Sequence, residues 1–428
     1  MRTPRVFYGW WIVGVSLTCM VVGIPIVSYT FGNFVKPLNE AFQWSRGQVS
    51  LGPSLALLGV TFGQPLLGRL IDRFGARVVI LPCAAGFGAS WMALYFLSSS
   101  LWHFYLLYFF LGLFGGGVGP VPFAAVLSHW FEKKRGLALG LAMVGLGLGG
   151  FIMAPLAQHL IATWGWREAY ALIGVLVWVI VLPLAGLMLR ERPEIYGLLP
   201  DGEQPGKGPA EPGVLPSQPS LVLAEAWRTQ NFWCLCVAFF LLSIAAHGFL
   251  IHLIPLLTDQ GFSGQRAAFY VALLAVSSVV GRGVAGFLAD KAQAIWAMGS
   301  KYVALAYFVG SAVGIVFLWG DKSEVGVLLF AVLFGLSLGA EVDLFPYMVS
   351  RCFGLQAFAE IYGYTLAAFG LGGVLGPLLT GIIFDAMGSY TLAFGSFCLL
   401  VLAAAGLMLP LQALAEGREE LATLAVRA

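Results

Sequence analysis

Twelve apolar runs, each long enough to cross a bilayer, dominate this 428-residue chain. A spanning helix needs about 20 residues with few charges. The runs cover roughly 8–36, 46–71, 78–98, 102–130, 135–162, 167–189, 231–258, 265–289, 296–319, 325–350, 358–385 and 390–414. Inside hydrocarbon every backbone N–H and C=O must be satisfied within the chain, so runs of this length can only be helices. The expected class is therefore an all-α membrane protein of twelve transmembrane helices. Composition agrees: 59% of residues are hydrophobic, 10% are charged, and the mean hydropathy is +0.88. Many of the 55 glycines fall inside the apolar runs, where they let helix backbones approach closely. The first run is too long for the apolar core of a cleaved signal and reads as the first span. Six cysteines lie in or beside apolar segments, and Cys234 and Cys236 point to different faces of one helix, which speaks against a metal or disulfide role.

Charge sets the orientation. With the N-terminus inside, the inner segments carry Arg2, Arg5, Arg69, Arg73, Arg77, Lys133, Lys134, Arg135, Arg190, Arg192, Lys207, Arg228, Lys291, Lys301, Arg351, Arg418 and Arg427. The outer loops carry Lys36, Arg46, Arg167, Arg266 and Lys322. This bias predicts that both termini are cytoplasmic. The stretch 190–230 interrupts the sixth and seventh runs with Pro, Gly and Glu, and its composition predicts a flexible cytoplasmic linker. The expected domains are a six-helix bundle at 1–189, this linker, and a second six-helix bundle at 231–428.

The two bundles repeat one another. Pro37-Leu38, Trp44-Ser45, Gly68 and Asp72 recur as Pro255-Leu256, Phe262-Ser263, Gly286 and Asp290, each about 218 positions later. Ser128-His-Trp-Phe131 returns as Ser350-Arg-Cys-Phe353, and 147–156 resembles 370–379. Two parallel six-helix repeats joined by a linker suit a transporter whose site lies near the midplane.

Arg282 stands alone in the apolar segment from Tyr270 to Asp290. Placing an arginine there costs about 2.5–3.5 kcal/mol on insertion scales, so it marks a functional site. Its counterpart in the first repeat is Gln64. The tenth run contains two acids, Glu341 and Asp343, which are two apart and so cannot share a helical face. Glu341 is expected to face the cavity, where it could pair with Arg282 or carry a proton; a static pair that only neutralises the arginine is the alternative. Asp343 is placed nearer the cytoplasmic end, as a structural partner of an arginine or a helix terminus, or as a second proton carrier. His252 occupies the repeat position of Phe34 and could bind substrate, carry a proton or simply pack. Thr30, Phe34, Val121, Gly147, Phe345 and Phe369 are the candidate pocket walls from helix phase. The glycine runs lie within membrane helices with no preceding strand, so close helix crossing explains them better than a phosphate loop.

The segment from Gly68 to Arg77, GRLIDRFGAR, resembles the loop motif of the major facilitator superfamily, and GFLADK at 286–291 is its weaker echo. The resemblance implies the fold of that superfamily, with two pseudo-symmetric halves and a conformational latch at Gly68, Asp72, Arg73, Arg77 and Asp290. FYGWW at 7–11 and HWFEKKRGLALGLAMVGLGLGG at 129–150 resemble the monocarboxylate transporter and oxalate/formate antiporter families. In those families an arginine four residues before the loop-motif glycine of the eighth span binds the substrate carboxylate, and Arg282 stands four before Gly286. Two departures matter. Ser278 occupies the position of a proton-coupling aspartate and is kept as a substrate-binding candidate, and the eleventh span lacks the lysine of oxalate-exchanging members.

The expectation is a secondary transporter, not an enzyme, for a small organic monocarboxylate such as lactate or pyruvate, with proton symport by alternating access. A proton-independent anion exchanger, or a carrier of zwitterions or cations, is the alternative. The expected partners are the carboxylate, a proton and the lipid bilayer, with no nucleic acid, no cofactor and no metal. A prokaryotic inner membrane and a monomer are expected. No GxxxxGK[ST] stretch occurs, so an ion or substrate gradient would supply the energy.

Overall fold

The computed structural model describes residues 7–202, 220–296, 298–320 and 323–414. The termini, the middle of the linker, Ala297, Asp321 and Lys322 lie outside the described residues. Among the described residues, twelve helices are long and apolar enough to span a membrane. The first six are Tyr8–Phe42, Leu51–Phe74, Ala76–Phe96, Leu101–Trp130, Arg135–Trp164 and Trp166–Met188. The last six are Gln230–Asp259, Gln265–Ile295, Gly299–Trp319, Glu324–Phe353, Phe358–Met387 and Thr391–Met408. They are called spans 1 to 12 below. No strand occurs among the described residues. Two compact units result, one from spans 1–6 and one from spans 7–12, except that Ala357–Gly363 groups with the first.

Hydropathy conceals two breaks. Span 1 consists of two helices, Tyr8–Val21 and Pro25–Phe42. Pro25 has no N–H to continue the ladder, and a Cβ at Gly23 would meet the Val118 carbonyl at 2.5 Å. Span 4 stops at Gly115, makes a 3₁₀ turn over Gly116–Val118, and restarts at Pro120 behind an extended Gly119.

The start of the linker is held in place, in contrast to the flexibility its composition suggests. The Asp201 carboxylate accepts from the backbone N–H groups of Glu132, Lys133 and Lys134, and Trp130 Nε1 donates to the Arg190 carbonyl at 2.8 Å. These contacts anchor Arg190 and Asp201 to the end of span 4 and the turn that follows it.

Candidate functional site

Small residues bring spans 8 and 10 into backbone contact. Gly335 and Gly339 lie one turn apart on span 10. A Cβ at Gly335 would meet the Leu274 carbonyl at 2.5 Å, and one at Gly339 would overlap the Ser278 carbonyl. From the other helix, a Cβ at Gly281 would overlap the Leu336 carbonyl. In lipid, where apolar side chains gain little by meeting each other, such close packing holds helices together.

Asp343 continues this stripe, four residues beyond Gly339, and so faces span 8. There it meets Arg282: Nη1 and Oδ1 are 3.7 Å apart, with the side chains 11% and 2% exposed. Arg282 Nη1 and both Asp343 oxygens are buried, and none of them makes a hydrogen bond. The pair is therefore held by charge at a distance, with its directional bonding capacity unused.

Glu341 lies half a turn away from the glycine stripe. It shares the opposite face with Phe334, Ser337 and Leu338, and borders a cavity of about 10 Å³ with Ser311, Leu242, Ala246 and Val401. That is room for one water. Its side chain is buried and Oε1 makes no hydrogen bond. Helix phase leaves Glu341 to pair with Arg282 or to carry a proton, and Asp343 as a structural partner of an arginine or a helix terminus or as a second proton carrier. In the structure it is Asp343, not Glu341, that stands 3.7 Å from Arg282. The physical reason is the Gly335–Gly339–Asp343 stripe: span 8 packs against the glycines, and the acid in register with them receives the arginine. The Arg282 charge still acts on both acids.

The remaining candidates scatter. Ser278 is buried and its carbonyl underlies Gly339. His252 has both ring nitrogens occupied, Nδ1 with the Tyr390 hydroxyl at 3.3 Å and Nε2 with the Pro377 carbonyl at 3.2 Å, so it ties span 7 to span 11 and the loop after it. Phe345 stacks on Phe239 and meets Phe369 edge to face at 5.5 Å. Phe369 also meets the ring of His247 at 5.6 Å, and His247 bonds to Ser243. His247, which is not among the candidates named from the sequence, is the histidine beside this aromatic pair.

In the first unit, Thr30 is buried and donates to the Ile26 carbonyl, and Val121 is buried. Phe34 is fully buried and stacks face to face on Tyr170 at 3.9 Å, a core contact in place of the expected open wall. Gly147 is half-buried.

The loop motif is tied to the start of span 11, in the stretch that groups with the first unit. Asp72 accepts from the backbone N–H groups of Ala359 and Glu360 at 3.0 and 2.7 Å, and Gly68 leaves room for the Ala359 carbonyl. A carboxylate at a helix N-terminus satisfies donors that the helix itself cannot. Arg69 pairs with Glu360 at 2.7 Å, a partnership that the motif reading missed. Arg73 lies over the Phe74 ring, Arg77 donates to the Gly186 carbonyl, and Asp290 is half-buried.

A helical membrane scaffold of two repeats, with a buried guanidinium in the second, defines a transporter. The Major Facilitator Superfamily model matches residues 7–365, and the chain belongs to that superfamily. It is also related to the monocarboxylate transporters. It is 30% identical to human Monocarboxylate transporter 11 over 83% of this chain and 73% of that protein. It is 28% identical to bovine Monocarboxylate transporter 13 over 94% and 89%. Among solved structures, the fucose:proton symporter FucP of E. coli matches with a TM-score of 0.66 and 17% identity over 93% of this chain and 98% of that one. The human organic anion transporter MFSD10 matches with a TM-score of 0.66 and 14% identity over 95% and 100%. The fold and the relatives are those of multi-pass membrane transporters, not enzymes.

Proposed function

We propose that this protein carries a small organic monocarboxylate, of the lactate or pyruvate kind, together with a proton, by alternating access of its two six-helix halves. The observation that carries the reading is the Arg282–Asp343 pair, buried at 3.7 Å without a hydrogen bond. A guanidinium has five N–H donors in a fork that matches a carboxylate. Paired charge-assisted bonds to a substrate are stronger than the loose pair at rest. Asp343 keeps Arg282 from being an isolated buried charge between cycles, and substrate displaces it.

Charge then couples the proton. Arg282, Asp343 and Glu341 together hold one positive and two negative formal charges. A substrate carboxylate adds a third negative charge to a buried cluster, which is costly unless a carboxyl takes up a proton. Substrate and proton therefore favour each other's binding. Glu341, in its enclosed pocket, is the proposed carrier, with Asp343 second and His252 third. Two acids against one arginine also suit a substrate that brings its own ammonium, so a zwitterion is the second reading. The lysine and arginine bias supports cytoplasmic termini, and a prokaryotic inner membrane is the proposed location.

Uptake of labelled lactate, oxalate and alanine into proteoliposomes, with and without an inward proton gradient, tests this. Gradient-stimulated lactate uptake is expected. Alanine uptake would favour the zwitterion reading, and lactate counterflow indifferent to pH would replace symport with exchange.

A further inference from the structure

A second basic site lies at the arginine-rich end of the first unit, on its surface. A cavity of about 370 Å³ opens there between the start of span 3 and the segment after span 6, lined by Arg77, Arg190, Glu191, Val78, Ile195 and Tyr196, among others. Its frame is fixed. Trp130 holds the Arg190 carbonyl and the Tyr8 hydroxyl holds the Met188 carbonyl, each at 2.8 Å. Glu191 is committed elsewhere: its carboxylate packs on Gly75, whose φ of +91° suits glycine, and accepts from the Arg77 backbone N–H at 3.3 Å. Its charge is therefore spent at the N-terminus of the helix that starts at Ala76.

The two guanidiniums are differently placed. Arg77 uses a donor on the Gly186 carbonyl, and Arg190 lies over the Tyr196 ring at 5.6 Å without a side-chain hydrogen bond. Neither forms an ion pair among the described residues. Around them Val78, Leu187, Ile195 and Tyr196 are exposed. A soluble anion would have no use for that apolar rim, whereas an acyl chain would. Clustered arginines at the end of membrane helices attract anionic headgroups at about 1 kcal/mol per basic residue.

We propose that this cavity binds the phosphodiester headgroup of an anionic phospholipid, with Arg77 and Arg190 on the phosphate and the acyl chains along Val78, Leu187 and Ile195. The site is separate from the Arg282 cluster and does not depend on the transported substrate.

Native mass spectrometry of the purified full chain, with phosphatidylglycerol or phosphatidylcholine added to the detergent, reads the assignment. Wild type is expected to retain phosphatidylglycerol in preference to phosphatidylcholine. Arg190→Gln, which removes no protein hydrogen bond, should lower that retention about fivefold, and Arg77→Gln similarly. Lys36→Gln, an exposed lysine paired with Glu40, should leave it unchanged. Phosphatidylglycerol retention equal in wild type and both arginine variants would overturn the site. Water-soluble glycerol 1-phosphate binding as tightly as the lipid would show a free-phosphate site and overturn the lipid assignment.

Discussion

The crossing of spans 2 and 4 and the crossing of spans 8 and 10 are two versions of one design. Both rely on glycine to bring backbones together: a Cβ at Gly112 would overlap the Ala56 carbonyl, just as one at Gly339 would overlap that of Ser278. They differ in what the crossing carries. Gln64 stands 218 positions before Arg282, and its buried Oε1 makes no hydrogen bond. Val121 stands 222 before Asp343, the same offset as Ser128 to Ser350. The first repeat thus places a neutral amide and an aliphatic side chain where the second places a guanidinium and a carboxylate. Span 4 also breaks at Gly116–Gly119, while span 10 runs unbroken from Glu324 to Phe353. The shared scaffold supplies the helix crossing, and the second repeat alone carries charge at this position.

Changes at the charged pair should separate the repeats most. Arg282→Gln leaves Asp343 buried without its partner, a cost of about 3–5 kcal/mol, and should abolish monocarboxylate uptake; thermal melting and proteoliposome uptake read the two effects. Next come the crossings themselves. Gly339→Val and Gly112→Val should each destabilise by about 1–3 kcal/mol, since both wedge a side chain into a facing carbonyl. Equal losses of melting temperature would confirm the shared scaffold, and a large loss at one site only would break the comparison. Glu341→Gln should spare folding but flatten the dependence of uptake on external pH. Under the proposed symport, wild-type uptake should rise as external pH falls, since a proton would accompany the substrate inward. Gln64→Leu should be smallest, within about 1 kcal/mol, because it removes a buried acceptor that has no partner.

Much of this was legible in the sequence. Length and apolarity determine the spans, because hydrocarbon admits helices and little else. A constant offset between unlike residues exposed the repeat, and the isolated charge singled out Arg282. That Asp343 rather than Glu341 meets Arg282 does not follow from helix phase, although the signal is present: Gly335, Gly339 and Asp343 recur every fourth residue and identify the face that packs closest. Helix phase alone gives relative directions around a helix without saying which neighbour each direction meets. The break at Gly23 was hidden for a similar reason, because hydropathy averages over a window and does not register the Val118 carbonyl beside it. The anchored start of the linker depends on a single carboxylate, Asp201, meeting three backbone N–H groups far away in sequence, which composition cannot reveal.

The most direct test of Arg282 as the carboxylate anchor is lactate uptake by the double variant Arg282→Gln/Asp343→Asn. Removing both members of the pair avoids the unpartnered Asp343 that Arg282→Gln alone would leave, so the double variant should melt closer to wild type than that single variant does. It should nevertheless take up lactate no faster than empty liposomes, with or without a proton gradient. A folded double variant that transports lactate at the wild-type rate would contradict the assignment and leave Arg282 a structural charge.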